Sequence, residues 1–101
     1  MSSSRKLVLS PEADEDIEQI LQFTGDMWGI DAQEKYFARF ERAFQRLLRF
    51  PKSGVLREDV RRRVRCLVVG QHLIFYRVDE ETISVKRLVH QQMGELPVIE
   101  D

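Results

Sequence analysis

The sequence predicts an α+β domain of order β-α-α-β-β-β, an antiparallel helical hairpin packed on one face of a small, mainly antiparallel β-sheet. Three observations carry that expectation. Apolar residues between about 11 and 49 recur at three- and four-residue steps, the period of a helix with one buried face. From about residue 63 the step changes to two, the period of a strand. Gly29, Pro51, Gly54 and Gly70 fall at the joints between these stretches. A chain of 101 residues supports a single core, so residues 1–101 read as one domain. Its ends, 1–4 and about 94–101, read as flexible tails.

"RKLVLS" reads as a short first strand. Ser10 is the expected N-cap of the first helix, with Pro11 at its first position and acids through the opening turn. Ala13, Ile17, Ile20, Leu21, Thr24 and Trp28 make one apolar face, and Gly29 is the expected stop. Asp31 with Glu34 has the spacing of a capping box for the second helix. That helix carries an apolar stripe from Tyr36 through Phe37, Phe40, Ala43, Phe44, Leu47 and Leu48. Arg39, Arg42, Arg46 and Arg49 interleave with it, and Pro51 ends it. Trp28 and the phenylalanines of this helix are expected in the core.

"RRRVRCLVVGQHLIFYRV" reads as two strands joined at Gly70-Gln71. Such a turn pairs Val69 with His72, Leu67 with Ile74 and Arg65 with Tyr76. Val64, Cys66, Val68, Leu73 and Phe75 then share one face, expected beneath the helices. Arg63, Arg65, Leu67, His72, Ile74 and Tyr76 share the other, expected open. The last strand spans 83 to 90. With Ile83 and Val85 toward the core, Lys86, Leu88 and His90 join the open face and Arg87 sits at the core rim. A one-residue slip would exchange these roles.

Composition narrows the function classes. Net charge is −1, so no overall field draws the chain to nucleic acid, and direct nucleic-acid binding is not expected. One cysteine, Cys66, forms no internal disulfide and suits a reducing cytoplasm. No stretch has the apolar length of a secretion signal or membrane span. Two histidines and one cysteine, widely spaced, give no metal-ligand pattern, and no Gly-rich loop suggests a phosphate cradle. No cofactor is expected. Charge is uneven: residues 11 to 18 are acidic, while 57 to 65 hold five arginines.

The order of these pieces resembles the ParE branch of the RelE/ParE toxin superfamily of bacterial type II toxin-antitoxin systems. The resemblance rests on "LSPEADEDI", on "WG" with Tyr36 eight residues beyond Trp28, on "LLRFPKSG", on "VRCLVVGQHLIFYRV" and on "ISVKRLVHQQM". It spans roughly Leu7 to Gly94. Arg63 stands where such toxins commonly carry glycine, and Ala32-Gln33 reverses a usual Gln-Ala. The resemblance implies a toxin that is not an enzyme, that inhibits DNA gyrase by binding, and that a ParD-like antitoxin neutralises. It also raises the RelE-like alternative, an endonuclease acting on ribosome-bound mRNA.

The residues bear on both readings. Metal-free RNA cleavage needs a base, an acid and cations beside the developing charge; His90, Tyr76, Arg65 and Lys86 are the candidates. Without catalysis, Arg63, Arg65, Leu67, Ile74, Tyr76, Lys86 and Leu88 are the expected antitoxin contacts. Arg87, His90 and Met93 are the expected target contacts. Arg61 and Arg62 are open between a partner surface and charges that discourage edge-to-edge aggregation. His72 is expected to be solvated beside its turn, and His90 to be hydrogen-bonded to backbone. Cys66 is expected in the core.

Overall fold

The computed structural model describes residues 5–92 and 95–100. Strand β1 (Lys6–Leu9) leads into helix α1 (Pro11–Trp28) and helix α2 (Ile30–Arg49). Strands β2 (Val55–Leu56), β3 (Arg65–Val69), β4 (His72–Val78) and β5 (Thr82–His90) follow, in a single sheet ordered β1-β5-β4-β3-β2. All neighbours are antiparallel except β1, which runs parallel to β5 through Leu7↔Ile83 and Leu9↔Val85. The two-residue β2 is an addition to the expected order. The hairpin register is the expected one: Arg65 opposes Tyr76, Leu67 opposes Ile74 and Val69 opposes His72.

The start of α1 follows its sequence. Ser10 Oγ accepts the Ala13 amide at 3.0 Å and donates to the Lys86 carbonyl at 2.9 Å. The cap therefore also ties the helix to β5. The joint between the helices is tighter than its capping-box spacing suggests. Gly29 (φ 95°) ends α1 and serves as the N-cap of α2, with no side-chain cap bond. Asp31 already lies in the first turn, where a carboxylate suits the helix dipole but cannot cap. Only glycine takes that φ without strain.

The helices cover the opposite sheet face from the expected one. Beneath them lie Ile74, Tyr76, Ile83, Val85 and Leu88, packed on Ala13, Ile17, Phe40, Ala43 and Leu47, with Leu67 at the margin. Val64, Cys66, Leu73 and Phe75 group together as expected, but on the far face, with Val60, Val89 and Ile99. Ile74, Phe75 and Tyr76 are all fully buried. Both faces of β4 are thus closed, and an apolar face alone could not say which one takes the helices.

A β-bulge accounts for the second departure. Tyr76 opposes Val85 while Phe75 opposes Arg87, leaving Lys86 as the extra residue. In a regular strand Val85 and Leu88 would point to opposite faces. The bulge returns Leu88 to the helix side with Ile83 and Val85.

Three further expectations are corrected. Val68, placed in the core, is 60% exposed. Trp28, likewise expected in the core, is 73% exposed, and of the α2 phenylalanines Phe37 is exposed while Phe40 is buried. The chain end, expected as a loose tail, lays Ile99 into the far-face cluster with 4% exposure. Cys66 is buried as expected. No helix among the described residues is long and apolar enough to cross a membrane.

Candidate functional site

The exposed Trp28 marks where the helices outrun the sheet. An 18-residue helix is about 27 Å long, and only the first half of α1, at Ala13 and Ile17, is buried against strands. Further along, Phe23, Met27 and Trp28 of α1 and Ile30 and Phe37 of α2 are exposed by 43 to 73%. The overhang and the ends of β4 and β5 enclose an open cleft of about 640 Å³. Ile20, Phe23, Thr24 and Trp28 form one wall, Tyr36 and Arg39 another, and His72 and His90 the floor.

A ladder of rings supports that floor. Phe40, Tyr36, His72 and His90 meet edge to face, with centroids 5.0, 5.4 and 5.2 Å apart in succession. The Arg39 guanidinium lies 5.5 Å from the Tyr36 ring centre. Tyr36 Oη is hydrogen-bonded to His72 Nδ1, and His90 Nδ1 accepts the Gln92 amide at 3.1 Å. His90 thus has its expected backbone bond. His72, expected to be solvated, is instead half-buried. Burial, and secondarily the facing His90, push its pKa down to about 4, so at neutral pH the ring that meets Tyr36 is uncharged.

Arg39 also lines a second groove, about 270 Å³, between α2 and β3 with Arg42, Arg46, Leu67 and Val69. Arg39 thus borders both the apolar cleft and this cationic channel. Charge lies elsewhere too. Arg62, Arg63, Arg77 and Lys86 line a cavity of about 520 Å³ on the far face with Asp79 and Ser84.

The antitoxin residues expected from sequence do not form one surface. Ile74, Tyr76 and Leu88 are buried under the helices, with at most 2% exposure, and are unavailable to a partner. Tyr76 Oη donates to the Pro51 carbonyl at 2.8 Å and accepts the Gly54 amide at 2.8 Å. Arg65 donates to the Gly54 carbonyl at 2.9 Å. Together these two side chains hold the turn after α2. A β-carbon at Gly54 would stand 2.6 Å from Tyr76 Oη, so that approach requires glycine. Leu67 is accessible in the α2–β3 groove. Arg63 and Lys86 lie on the opposite side of the molecule.

The nuclease candidates are scattered in the same way. His90 floors the cleft, Tyr76 and Arg65 brace the turn, and Lys86 lines the far-face cavity. Of the expected target contacts, Arg87 is engaged by Asp16 of α1. Asp16 Oδ2 accepts Arg87 Nε at 2.7 Å and the Leu88 amide at 2.9 Å, and Oδ1 accepts Arg87 Nη2 at 3.2 Å. That hydrogen-bonded pairing raises the guanidinium pKa. Met93 lies outside the described residues. Sequence reasoning missed Tyr36, Arg39 and His72 as a group. Their signal is the cross-strand pairing of His72 with His90, legible only once the β5 register is known. No group of three or more metal-ligating side chains occurs among the described residues.

A family model for the ParE toxin of the type II toxin-antitoxin system parDE matches residues 7–94. The chain belongs to the ParE toxin family. Toxin ParE1 of Mycobacterium tuberculosis is 38% identical to this ParE over 91 residues, covering 89% of this chain and 93% of that one. Toxin ParE1 of Caulobacter vibrioides is 27% identical over 86 residues, covering 85% and 88%. A solved structure titled "Chromosomal ParDE TA system from P. aeruginosa" has the same fold. It superposes with a TM-score of 0.75 at 19% identity, over 88% of this chain and 98% of that one. This ParE is therefore the toxin component of a type II toxin-antitoxin system.

Proposed function

We propose that this ParE arrests growth in the cytoplasm by binding DNA gyrase, without catalysis, and that a ParD-like antitoxin neutralises it by filling the overhang cleft. The observation that carries the antitoxin reading is the exposure of Phe23, Met27, Trp28, Ile30 and Phe37 on the helical hairpin, with Phe23 and Trp28 lining the cleft. A large exposed apolar patch on a small domain is characteristic of a partner surface. An amphipathic antitoxin helix in the cleft would bury Phe23 and Trp28. An acidic extension of it would continue past Arg39 into the channel lined by Arg42 and Arg46. Family membership supports gyrase as the target. Dispersal of His90, Tyr76, Arg65 and Lys86 supports action by binding, since general acid–base cleavage requires its groups within hydrogen-bonding reach of one phosphate.

Purified toxin is expected to block gyrase supercoiling and to leave ribosome-bound mRNA intact. Efficient mRNA cutting that His90→Ala abolishes would replace this reading with the nuclease one. For the antitoxin, Trp28→Ala should leave the melting temperature unchanged and weaken antitoxin binding by about 2 kcal/mol, the scale of an aromatic hot spot. Unaltered affinity in calorimetry would move the antitoxin off the cleft.

A further inference from the structure

The far sheet face already holds a ligand of sorts, the end of this chain. Ile99 fills a hole between Val64, Cys66, Phe75 and Val89, while its neighbours Leu96 and Val98 are 49% and 81% exposed. Ile99 is thus the one buried side chain of the 95–100 segment, with Pro97 partly covered. Val98, Ile99 and Glu100 share a cavity of about 370 Å³ with Lys86, with Glu12 and with Arg87, the last already paired with Asp16. Lys86 also lines the neighbouring cavity that holds Arg62, Arg63 and Arg77 against the lone acid Asp79. An apolar socket thus opens onto a cationic strip. The segment it now holds, Val98-Ile99-Glu100, sets an aliphatic anchor beside an acid.

We infer that this face is a second docking surface, distinct from the helix overhang, which takes an extended acidic segment carrying one aliphatic anchor in exchange for the chain's own tail. The tail shows that the socket accepts a branched aliphatic side chain, and the excess of cations along the strip favours carboxylates beside it. The bulge at Lys86 builds the strip by adding a cation beside Ser84 on the far face. A single buried side chain is weak anchorage compared with the interlocked helices opposite. A tethered segment nonetheless competes at an effective concentration of about millimolar. An incoming segment must therefore exceed that, or meet a chain whose tail has been released.

Cys66, the chain's one cysteine, lies in the socket wall and reports occupancy. Burial raises its thiol pKa and so slows its attack on disulfide reagents. In the full-length protein, Ile99→Asp should accelerate Cys66 modification by dithionitrobenzoate about tenfold or more, with Ile99→Ala intermediate, because the vacant fraction sets the observed rate. Both variants should keep a cooperative melt. A fluorescent peptide ELPVIED should bind Ile99→Asp about tenfold more tightly than the parent, whose own tail holds the seat. The peptide ELPVDED should bind neither. Adding Arg62→Glu and Lys86→Glu to Ile99→Asp should weaken the ELPVIED complex about tenfold and make it less salt-sensitive. Equal Cys66 rates in parent and Ile99→Asp would overturn the inference, as would equal peptide affinities. Concentration-dependent dimerisation of the parent that Ile99→Asp abolishes would also overturn it, making the occupant a second copy's tail. None of these readouts involves gyrase or the antitoxin.

Discussion

The two faces of this sheet are closed in different ways. On one, two helices interlock Phe40, Leu47, Ala13 and Ile17 with Ile74, Tyr76, Ile83, Val85 and Leu88. On the other, the loop at Val60 and Val64 and one tail residue, Ile99, cover Cys66, Phe75 and Val89. Area buried by many mutually locked side chains holds a fold together. Area buried by one side chain at a chain end is available for exchange. The same sheet thus carries a permanent interface and a replaceable one, and sequence hydrophobicity does not distinguish them.

The contrast can be broken most forcefully at Phe40, which is fully buried. Phe40→Ala should cost about 3–5 kcal/mol in urea unfolding, and Ile99→Ala about 2 kcal/mol, near the low end for apolar truncation. Equal costs would mean the far face is as firmly built as the helical one. Next comes Asp16, which joins α1 to β5. Asp16→Ala leaves the Leu88 amide and the Arg87 guanidinium without their acceptor. It should destabilise by about 1–3 kcal/mol, measured by chemical denaturation. A change within error would show solvent replacing the carboxylate.

A pH experiment sharpens the same comparison. The folded His72 pKa, about 4, lies below its ordinary 6.5. Between those values the unfolded chain binds a proton that the folded chain refuses, so stability falls as pH drops through that window. His72→Gln should lose less stability than the parent between pH 7 and pH 5. Parallel denaturation midpoints would place His72 in solvent. The smallest effect is expected at Arg63, on the far-face rim. It is the sole non-glycine residue with positive φ among those described, at 65°. Arg63→Gly should relieve that strain and stabilise by about 0.5–1 kcal/mol, partly offset by glycine's greater unfolded-state entropy. A lower melting temperature would refute the strain.

Much of the fold was legible locally. Ser10, Pro11 and Gly29 delimit α1, and Gly70 sets the hairpin register, because caps and turns act through neighbouring backbone. The candidate site was less legible. Arg65 and Tyr76 were correctly paired, yet their hydrogen bonds brace the turn after α2. His72 resembled a solvated turn residue because its burial comes from Tyr36, 36 positions away. Asp16 looked like one of several helix-start acids, yet it carries the contact to Arg87 across 71 positions.

Sequence alone determined every element but the two-residue β2, their order and the partition of the β3–β4 hairpin into two side-chain sets, since periodicity and turn chemistry are short-range. Tertiary structure alone decided which set the helices cover, because both are apolar and the bulge at Lys86 shifts the parity of β5 midway. It also decided that α1 overhangs the sheet and leaves Trp28 bare. Apolarity expresses a demand for burial, and only the meeting of distant segments settles whether the chain itself or a partner meets it.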